Sequence, residues 1–124
     1  MKFTVYLFCL TFSLFLQAYD ENDLKTLKNT KNCENCDLSS ANLSKLDLSN
    51  ALLSGSNLSS TNLTNANLFK ADLSYTSLVK SKIYIANLDY ANLEGANLTE
   101  AKLNGASLRN ANLIDATLIS TVMS

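Results

Sequence analysis

The sequence contains no histidine, tryptophan or proline. Histidine is the commonest general base, a frequent metal ligand and the usual partner of a serine or cysteine nucleophile. Its absence therefore argues against the familiar enzyme classes, and we expect no catalytic residues, metal ligands or cofactor. Ten basic and eleven acidic residues give a net charge of −1, which offers neither a basic nucleic-acid surface nor a strongly acidic one. The 124 residues are enough for one small domain.

The N-terminal segment differs in composition from the rest of the chain. Lys2 supplies a positive charge, residues 3–16 form an uncharged apolar run, and Ala18 precedes an acidic stretch. This order is typical of a secretory signal peptide cleaved after Ala18, although Leu16 is larger than the usual residue at that point. An uncleaved membrane anchor is the alternative, but the run is shorter than the roughly 20 residues that a bilayer requires. We predict a signal peptide over residues 1–18 and an exported protein, periplasmic or secreted.

From residue 36 onward the sequence is a single five-residue repeat. A large apolar residue, nearly always leucine, recurs at every fifth position from Leu38 to Met123. A small residue, most often alanine, lies two positions before it, and the residue between them is usually asparagine or aspartate. On an α-helix these leucines would spiral around the cylinder, and on a straight strand they would alternate between faces. We therefore infer short extended segments joined by turns, in coils that pair with one another in β fashion.

The motif Ala-Asn-Leu-x-x resembles that of the pentapeptide-repeat family. Examples of it begin at Ala41, Ala66, Ala91, Ala96 and Ala111. The resemblance covers residues 36–123 and implies the fold of that family, an all-β, right-handed quadrilateral β-helix, a solenoid with four pentapeptides per coil. Single positions depart from the consensus without breaking the frame, namely Leu46, Leu52, Lys82 and Lys102.

The outward asparagines admit two interpretations, a glycan-binding or ice-binding array and a structural ladder. Asparagine side chains readily satisfy nearby backbone groups, and stacked asparagines bond to one another. We therefore predict that they stabilise the coil. The glycosylation sequons at Asn42, Asn57, Asn62 and Asn97 arise from the repeat itself.

Residues 19–35 are predicted to cap the first coil. Residues 20–31 combine a candidate N-cap, Asn22 or Asp23, with two leucines three positions apart and lysines towards the end. That pattern favours a short helix. Placed over the first coil, it would shield the unpaired edges and the leucines of that coil.

The repeat domain, residues 36–124, has no corresponding helix at its other end. Two outcomes are open for residues 114–124. They fray, or they pair end to end with a second copy to give a homodimer. The second outcome is favoured by the unpaired β edge and the column of apolar side chains, which can pair with the same surface of another chain.

Cys33 and Cys36 are the cysteines that remain once residues 1–18 are removed. Disulfides persist in exported proteins, and a β-turn between the two residues would bring them within about 7 Å. The sequence favours a structural disulfide, with two buried thiols or a redox-active or metal-binding pair as alternatives. A zinc site would need further ligands, and the mature chain has no other cysteine and no histidine.

Aromatic and charged residues concentrate at outward or corner positions of the second and third coils. With twenty residues per coil, three outward pairs are predicted, Lys80 over Glu100, Asp89 over Arg109, and Lys82 over the like-charged Lys102. The aromatic residues are either scattered surface residues or a partner-binding patch. That patch would comprise Phe69, Lys70, Tyr75, Lys82, Tyr84 and Tyr90.

These observations favour a non-enzymatic exported protein that acts as a rigid scaffold or protein-interaction module. We expect an unidentified protein partner, no nucleic acid and no small-molecule substrate. The resemblance suggests an alternative, because some pentapeptide-repeat proteins mimic duplex DNA and protect type II topoisomerases. Seven acids against six bases in the repeat oppose it, as does the predicted export. A thiol oxidoreductase using Cys33 and Cys36 is the third hypothesis, but the chain lacks the βαβ setting of such motifs.

Overall fold

The chain forms one short helix followed by a stack of β-paired coils. The computed structural model describes residues 19–124, so the predicted signal peptide, residues 1–18, lies outside the described residues. Helix α1 spans Glu21–Thr30. Among residues 19–124, no helix has both the length and the hydropathy of a membrane span. The coils that follow pair through single-residue parallel β-bridges rather than through longer strands.

The bridges define a coil of twenty residues. Each bridged residue pairs with the residue twenty positions later, from Asn32 with Leu52 to Lys102 with Val122. Because one residue in every five is bridged, each coil holds four pentapeptides and has four sides. The pairing begins at Asn32, four positions before residue 36, where the sequence places the start of the repeat.

The four sides are named faces 1 to 4 in chain order, and each face includes the turn at its end. Face 1 comprises residues 31–35, 51–55, 71–75, 91–95 and 111–115, and face 2 comprises residues 36–40, 56–60, 76–80, 96–100 and 116–120. Face 3 comprises residues 41–45, 61–65, 81–85, 101–105 and 121–124, and face 4 comprises residues 46–50, 66–70, 86–90 and 106–110. Faces 1 and 3 are therefore opposite sides of the coil.

The column of large apolar residues fills the inside of the stack. From Leu38 to Leu103 these side chains are almost fully buried. Serine and threonine at the small inward position satisfy their own hydroxyls, since those of Thr61, Thr76 and Ser81 donate to the carbonyl three residues earlier at 2.6–2.7 Å. In the described residues no buried side-chain nitrogen or oxygen lacks a hydrogen-bond partner.

The asparagine of the motif completes the hydrogen bonding of each pentapeptide. In residues 61–65 the first N–H closes the preceding turn, the second bonds to the coil before, and the third and fifth bond to the coil after, at 2.7–3.3 Å. The fourth N–H, that of Thr64, donates to Oδ1 of Asn62 at 3.1 Å. An oxygen at the middle position thus satisfies the one N–H that no neighbouring coil reaches. Asparagines on successive coils also bond to each other, as Asn112 Nδ2 does to Asn92 Oδ1 at 3.0 Å. The predicted structural role of these asparagines is confirmed.

Each turn ends on a residue in the left-handed backbone region, with φ between 54° and 72°. Glycine enters this region without steric cost, and asparagine does so more readily than most residues. Ile85 has φ 55°, where its β-branched side chain crowds the backbone. The corner at Ile85 is therefore strained.

Ile85→Asn is expected to raise the free energy of unfolding by about 0.5–1 kcal/mol, because asparagine tolerates positive φ better than isoleucine. Ile85 is 63% exposed, so little burial is lost. Urea unfolding of both proteins measures the change. The reverse substitution one coil earlier, Asn65→Ile, should lower the free energy of unfolding by a similar amount. A lower stability for Ile85→Asn would show that the corner is not strained.

Helix α1 closes the N-terminal end of the stack. Its N-cap is Asp20, whose carboxylate accepts the N–H groups of Asn22 and Asp23 at 2.7 and 3.2 Å. The predicted N-cap, Asn22 or Asp23, is therefore wrong, because the carboxylate that reaches the free N–H groups of the first turn belongs to Asp20. Leu27 is fully buried, and the N–H of Asp20 donates to the carbonyl of Asp37 at 2.9 Å. Leu27 of α1 thus belongs to the apolar core of the coils.

The side chains of the last coil are more exposed than those of the coils before it. Leu118 is 40% exposed and Met123 is 53% exposed, whereas Leu103, in the coil before, is 2% exposed. Residues 114–124 nevertheless keep the register of the coil, since Val122 is bridged to Lys102. The two outcomes for this segment, fraying and end-to-end pairing, stay predictions.

Candidate functional site

The structure distributes the six residues of the predicted patch over three corners and one face. They are Phe69, Lys70 and Tyr90 at the end of face 4, Tyr84 at the end of face 3, Tyr75 at the end of face 1, and Lys82 within face 3. The structure brings the first three into contact, and we call them the aromatic corner.

The aromatic corner combines two rings and a cation at the surface of the coil. The rings of Phe69 and Tyr90 pack edge to face, with centroids 5.7 Å apart and an interplanar angle of 73°. Nζ of Lys70 lies 5.3 Å from the centroid of the Phe69 ring, within the range of a cation–π interaction. Phe69 is half-buried and Tyr90 is 53% exposed. Exposed aromatic side chains held in one geometry are typical of protein interfaces.

A buried carboxylate ties this corner to the next coil. Asp89 is 6% exposed and accepts the backbone N–H of Arg109 at 2.9 Å, its Nε at 3.0 Å and the hydroxyl of Ser107. A terminal guanidinium nitrogen of Arg109 lies 2.8 Å from the same carboxylate. Hydrogen bonds from Ser107 and Arg109 lower the pKa of Asp89 below its ordinary value. The predicted pair of Asp89 and Arg109 is confirmed, and it fixes the backbone beside Tyr90.

The Asp89 network is expected to make stability fall at acidic pH. Its pKa is lower in the folded chain than the value of about 3.9 in an unfolded one, so the stabilisation is present above about pH 4 and is lost as pH falls towards the folded pKa. Urea unfolding at a series of pH values should show the wild type losing its advantage over Asp89→Asn below about pH 4. Arg109→Gln removes one of the groups that lower the pKa of Asp89, so this variant should lose less stability than the wild type as the pH falls below about 4. A gap between wild type and Asp89→Asn that stays constant into acid would contradict this assignment.

Tyr75 lies at a different corner and has its own partners. Its hydroxyl donates to Oε1 of Glu94 at 3.2 Å, and this hydrogen bond to a carboxylate raises the pKa of Tyr75. The ring lies over Gly95 of the next coil, where a Cβ atom would come within 2.6 Å of it. Glycine at this turn therefore leaves the space that the tyrosine ring occupies.

Tyr84 and Lys82 are separate from the aromatic corner. Tyr84 is half-buried and Lys82 is exposed. Within residues 19–124, neither side chain takes part in the ring and cation–π contacts of the aromatic corner. Lys82 is bridged to Lys102 one coil later, so the predicted like-charge stack is present.

One further ion pair was not predicted. Nζ of Lys31 lies 3.0 Å from Oδ2 of Asp47 and 3.3 Å from the hydroxyl of Ser49. Hydrogen bonds from Ser49 and Lys31 hold the pKa of Asp47 well below its ordinary range. The predicted pair of Lys80 and Glu100 is present at 4.0 Å, between exposed side chains.

Cys33 and Cys36 lie where the first coil meets helix α1. They are disulfide-bonded, with their Cα atoms 5.4 Å apart, and Asn35 between them has φ 56°. The sulfur of Cys33 lies 3.2 Å from the carbonyl oxygen of Asp23 in α1. The two sulfurs and a carboxylate oxygen of Asp23 lie within 4.8 Å of one another, but disulfide sulfurs are not the thiolates that bind metal ions. In this form the pair closes the turn between the first two pentapeptides of the coil.

Two models of known protein families match the chain. One, described as a pentapeptide repeat region, matches residues 29–103. The other, described as pentapeptide repeats in 8 copies, matches residues 86–124. A comparison with curated proteins found no match.

Several solved structures of pentapeptide repeat proteins are similar to the chain. One from the cyanobacterium Nostoc PCC 7120 is 32% identical, over 81% of this chain and 77% of that one, with a TM-score of 0.42. Rfr23 from Cyanothece 51142 is 25% identical, over 83% and 94%, with a TM-score of 0.42. A protein of the Arabidopsis thaliana thylakoid lumen is 28% identical, over 66% and 61%, with a TM-score of 0.44. The chain thus spans about three-fifths of the length of the Arabidopsis protein.

Proposed function

Because the chain belongs to the pentapeptide-repeat family, we propose that it is a non-enzymatic, exported scaffold that binds a protein partner through the aromatic corner. Members of this family are generally structural or interaction proteins and form right-handed β-helices. The proposal includes the same handedness for the quadrilateral coil, with α1 as its N-terminal cap.

The geometry of Phe69, Lys70 and Tyr90 is the main observation that supports this proposal. The Phe69 ring already contacts both the Tyr90 ring and the Lys70 cation, and the Asp89 network holds the backbone beside Tyr90. Binding of a partner would therefore cost little conformational entropy in these side chains. Aromatic side chains held in this way account for much of the binding energy in protein interfaces.

Photo-crosslinking in the native cell tests the aromatic corner. A benzophenone amino acid replaces Tyr90 in one strain and Ser60, an exposed turn residue of face 2, in the control strain. We expect the probe at position 90 to capture one defined protein that the probe at position 60 does not. Adding Phe69→Ser should abolish that adduct while the circular dichroism spectrum is unchanged. Equal capture from both positions, or an adduct that survives Phe69→Ser, would refute the proposed site.

Export rests on the sequence of residues 1–18 and has a separate test. N-terminal sequencing of protein recovered from the periplasm or the medium should give Tyr19 as the first residue. Recovery only from the cytosol, with residues 1–18 still attached, would refute export and leave the proposed binding site untouched.

The charge on the coil opposes the alternative of topoisomerase protection. From residue 51 onward the acids of face 1 are only Asp72, Glu94 and Asp115, and face 3 carries no acid at all. A mimic of duplex DNA needs dense negative charge along its length. We expect no inhibition of DNA supercoiling by the purified protein, and clear inhibition at micromolar concentration would favour the alternative.

We also propose a homodimer through the open C-terminal end. The exposed apolar side chains of the last coil are Ile114, Leu118, Ile119, Val122 and Met123. Since α1 covers the other end, two chains would meet through their C-terminal ends as a closed two-fold pair. Sedimentation should show a dimer that Leu118→Lys converts to a monomer, whereas Leu52→Lys on face 1 should not. A wild-type monomer at high micromolar concentration would contradict the dimer.

A further inference from the structure

The charged residues of the coil are sorted by face, although the whole chain is nearly neutral. Face 3 carries Lys45, Lys82 and Lys102 and no acidic residue. The opposite side, face 1, carries acids and no base from residue 51 onward. All three lysines of face 3 are exposed, and within residues 19–124 none of them forms an ion pair.

Stability does not explain Lys82 and Lys102 on face 3. Lys82 and Lys102 are bridged on successive coils, about 4.8 Å apart along the backbone, and like charges placed opposite each other are destabilising. Both also occupy the middle position, where an asparagine oxygen would accept the fourth N–H of the pentapeptide, as Asn62 does one coil earlier. A lysine side chain has no acceptor for that N–H. Two successive coils therefore give up a stabilising bond and gain a repulsion.

Apolar side chains accompany these lysines on the same face. Ile85, at the end of face 3, is 63% exposed, and Val122 follows Lys102 in the same column. Tyr84 is half-buried at the same corner as Ile85. Several lysines without acidic neighbours, combined with aliphatic and aromatic side chains on one face, are typical of surfaces that lie on a lipid bilayer.

We propose that face 3 docks on the surface of an anionic lipid bilayer. Lys45, Lys82 and Lys102 contact the acidic headgroups, and Tyr84 and Ile85 enter the interfacial layer. Each lysine near such a surface contributes about a fivefold gain in partitioning, so the three together give roughly a hundredfold preference for anionic over neutral lipid. The acids of face 1, on the opposite side, are repelled by the headgroups and so fix which side faces the bilayer. The docking is independent of the aromatic corner, which would then stay accessible at the end of face 4.

Vesicle sedimentation of the full chain tests this docking, with phosphatidylcholine vesicles that contain or lack phosphatidylglycerol. The double variant Lys82→Gln/Lys102→Gln should lose about 25-fold in partitioning onto the anionic vesicles. The control Lys28→Gln/Lys80→Gln removes the same charge from α1 and face 2, and it should lose no more than a few-fold. All variants share residues 1–18, so differences between them report on the substituted positions.

A second variant separates docking from folding. Ile85→Asn removes an apolar contact with the bilayer, yet it is expected to stabilise the coil, so weaker vesicle binding cannot result from unfolding. Raising the ionic strength should also release the wild type from anionic vesicles. Equal losses in the two double variants, no preference for anionic vesicles, or binding of face 3 to soluble polyglutamate but not to vesicles would overturn the proposal.

Discussion

Leu68→Ala is expected to lower the free energy of unfolding by about 2–5 kcal/mol, among the largest effects of a single truncation in this chain. Leu68 is fully buried, and its column continues with Leu48 in the coil before and Leu88 in the coil after. The truncated side chain leaves a cavity between these two leucines, and hydrogen-bonded coils on both sides prevent the space from collapsing. Because a solenoid is stabilised by contacts between neighbouring coils, a defect in a middle coil weakens two interfaces at once. Urea unfolding monitored by circular dichroism measures the loss.

The matched control is Leu118→Ala in the last coil. Leu118 is 40% exposed and has no coil on its C-terminal side in this chain, so its truncation should cost less than about 1 kcal/mol. Both variants should be measured at a protein concentration low enough to exclude dimers. Equal losses at the two positions would contradict the idea that a leucine between two coils contributes more to stability than a leucine in the last coil.

The period of five was sufficient to predict the core, because the leucine column and the small inward residues follow directly from it. The twenty-residue coil came from the family resemblance, and it placed Asp89 over Arg109 correctly. The backbone explains the residue types at three further positions of the repeat. The small residue closes the turn, the asparagine accepts the fourth N–H, and the last residue must tolerate positive φ.

Contacts that do not follow the twenty-residue spacing could not be predicted in this way. Lys31 reaches Asp47 across sixteen residues because it lies where the helix ends and the coil begins. Tyr75 bonds to Glu94 across nineteen residues because its ring turns over the glycine below. The aromatic corner was likewise one of several groupings that the sequence allowed, since the side-chain directions at a turn depend on local packing.

The substitution Ala86→Leu is expected to lower the free energy of unfolding by about 1–3 kcal/mol, although the chain already tolerates a leucine in the same column. That residue, Leu46, is half-buried against the core of the first coil. The residue twenty positions before it, Thr26, is in helix α1 and not in a coil, so the side chain of Leu46 is not confined between two stacked turns. Ala86 is 1% exposed and lies between Ala66 and Ala106. A leucine there must push the coils apart and stretch the hydrogen bonds between them. Urea unfolding of Ala86→Leu and wild type measures the loss.

Ala106→Leu provides the comparison that isolates this cause. Ala106 is in the same column and is only half-buried, and no residue of this chain lies twenty positions after it. The added side chain can therefore extend beyond the open end, and the loss should be clearly smaller than for Ala86→Leu. If the two substitutions cost the same, confinement between coils is not what limits side-chain size, and Leu46 needs an explanation other than its place beside α1. If Ala86→Leu costs more, side-chain size at this position is limited by the presence of a coil on each side, and the two ends of the stack are where the repeat tolerates larger residues.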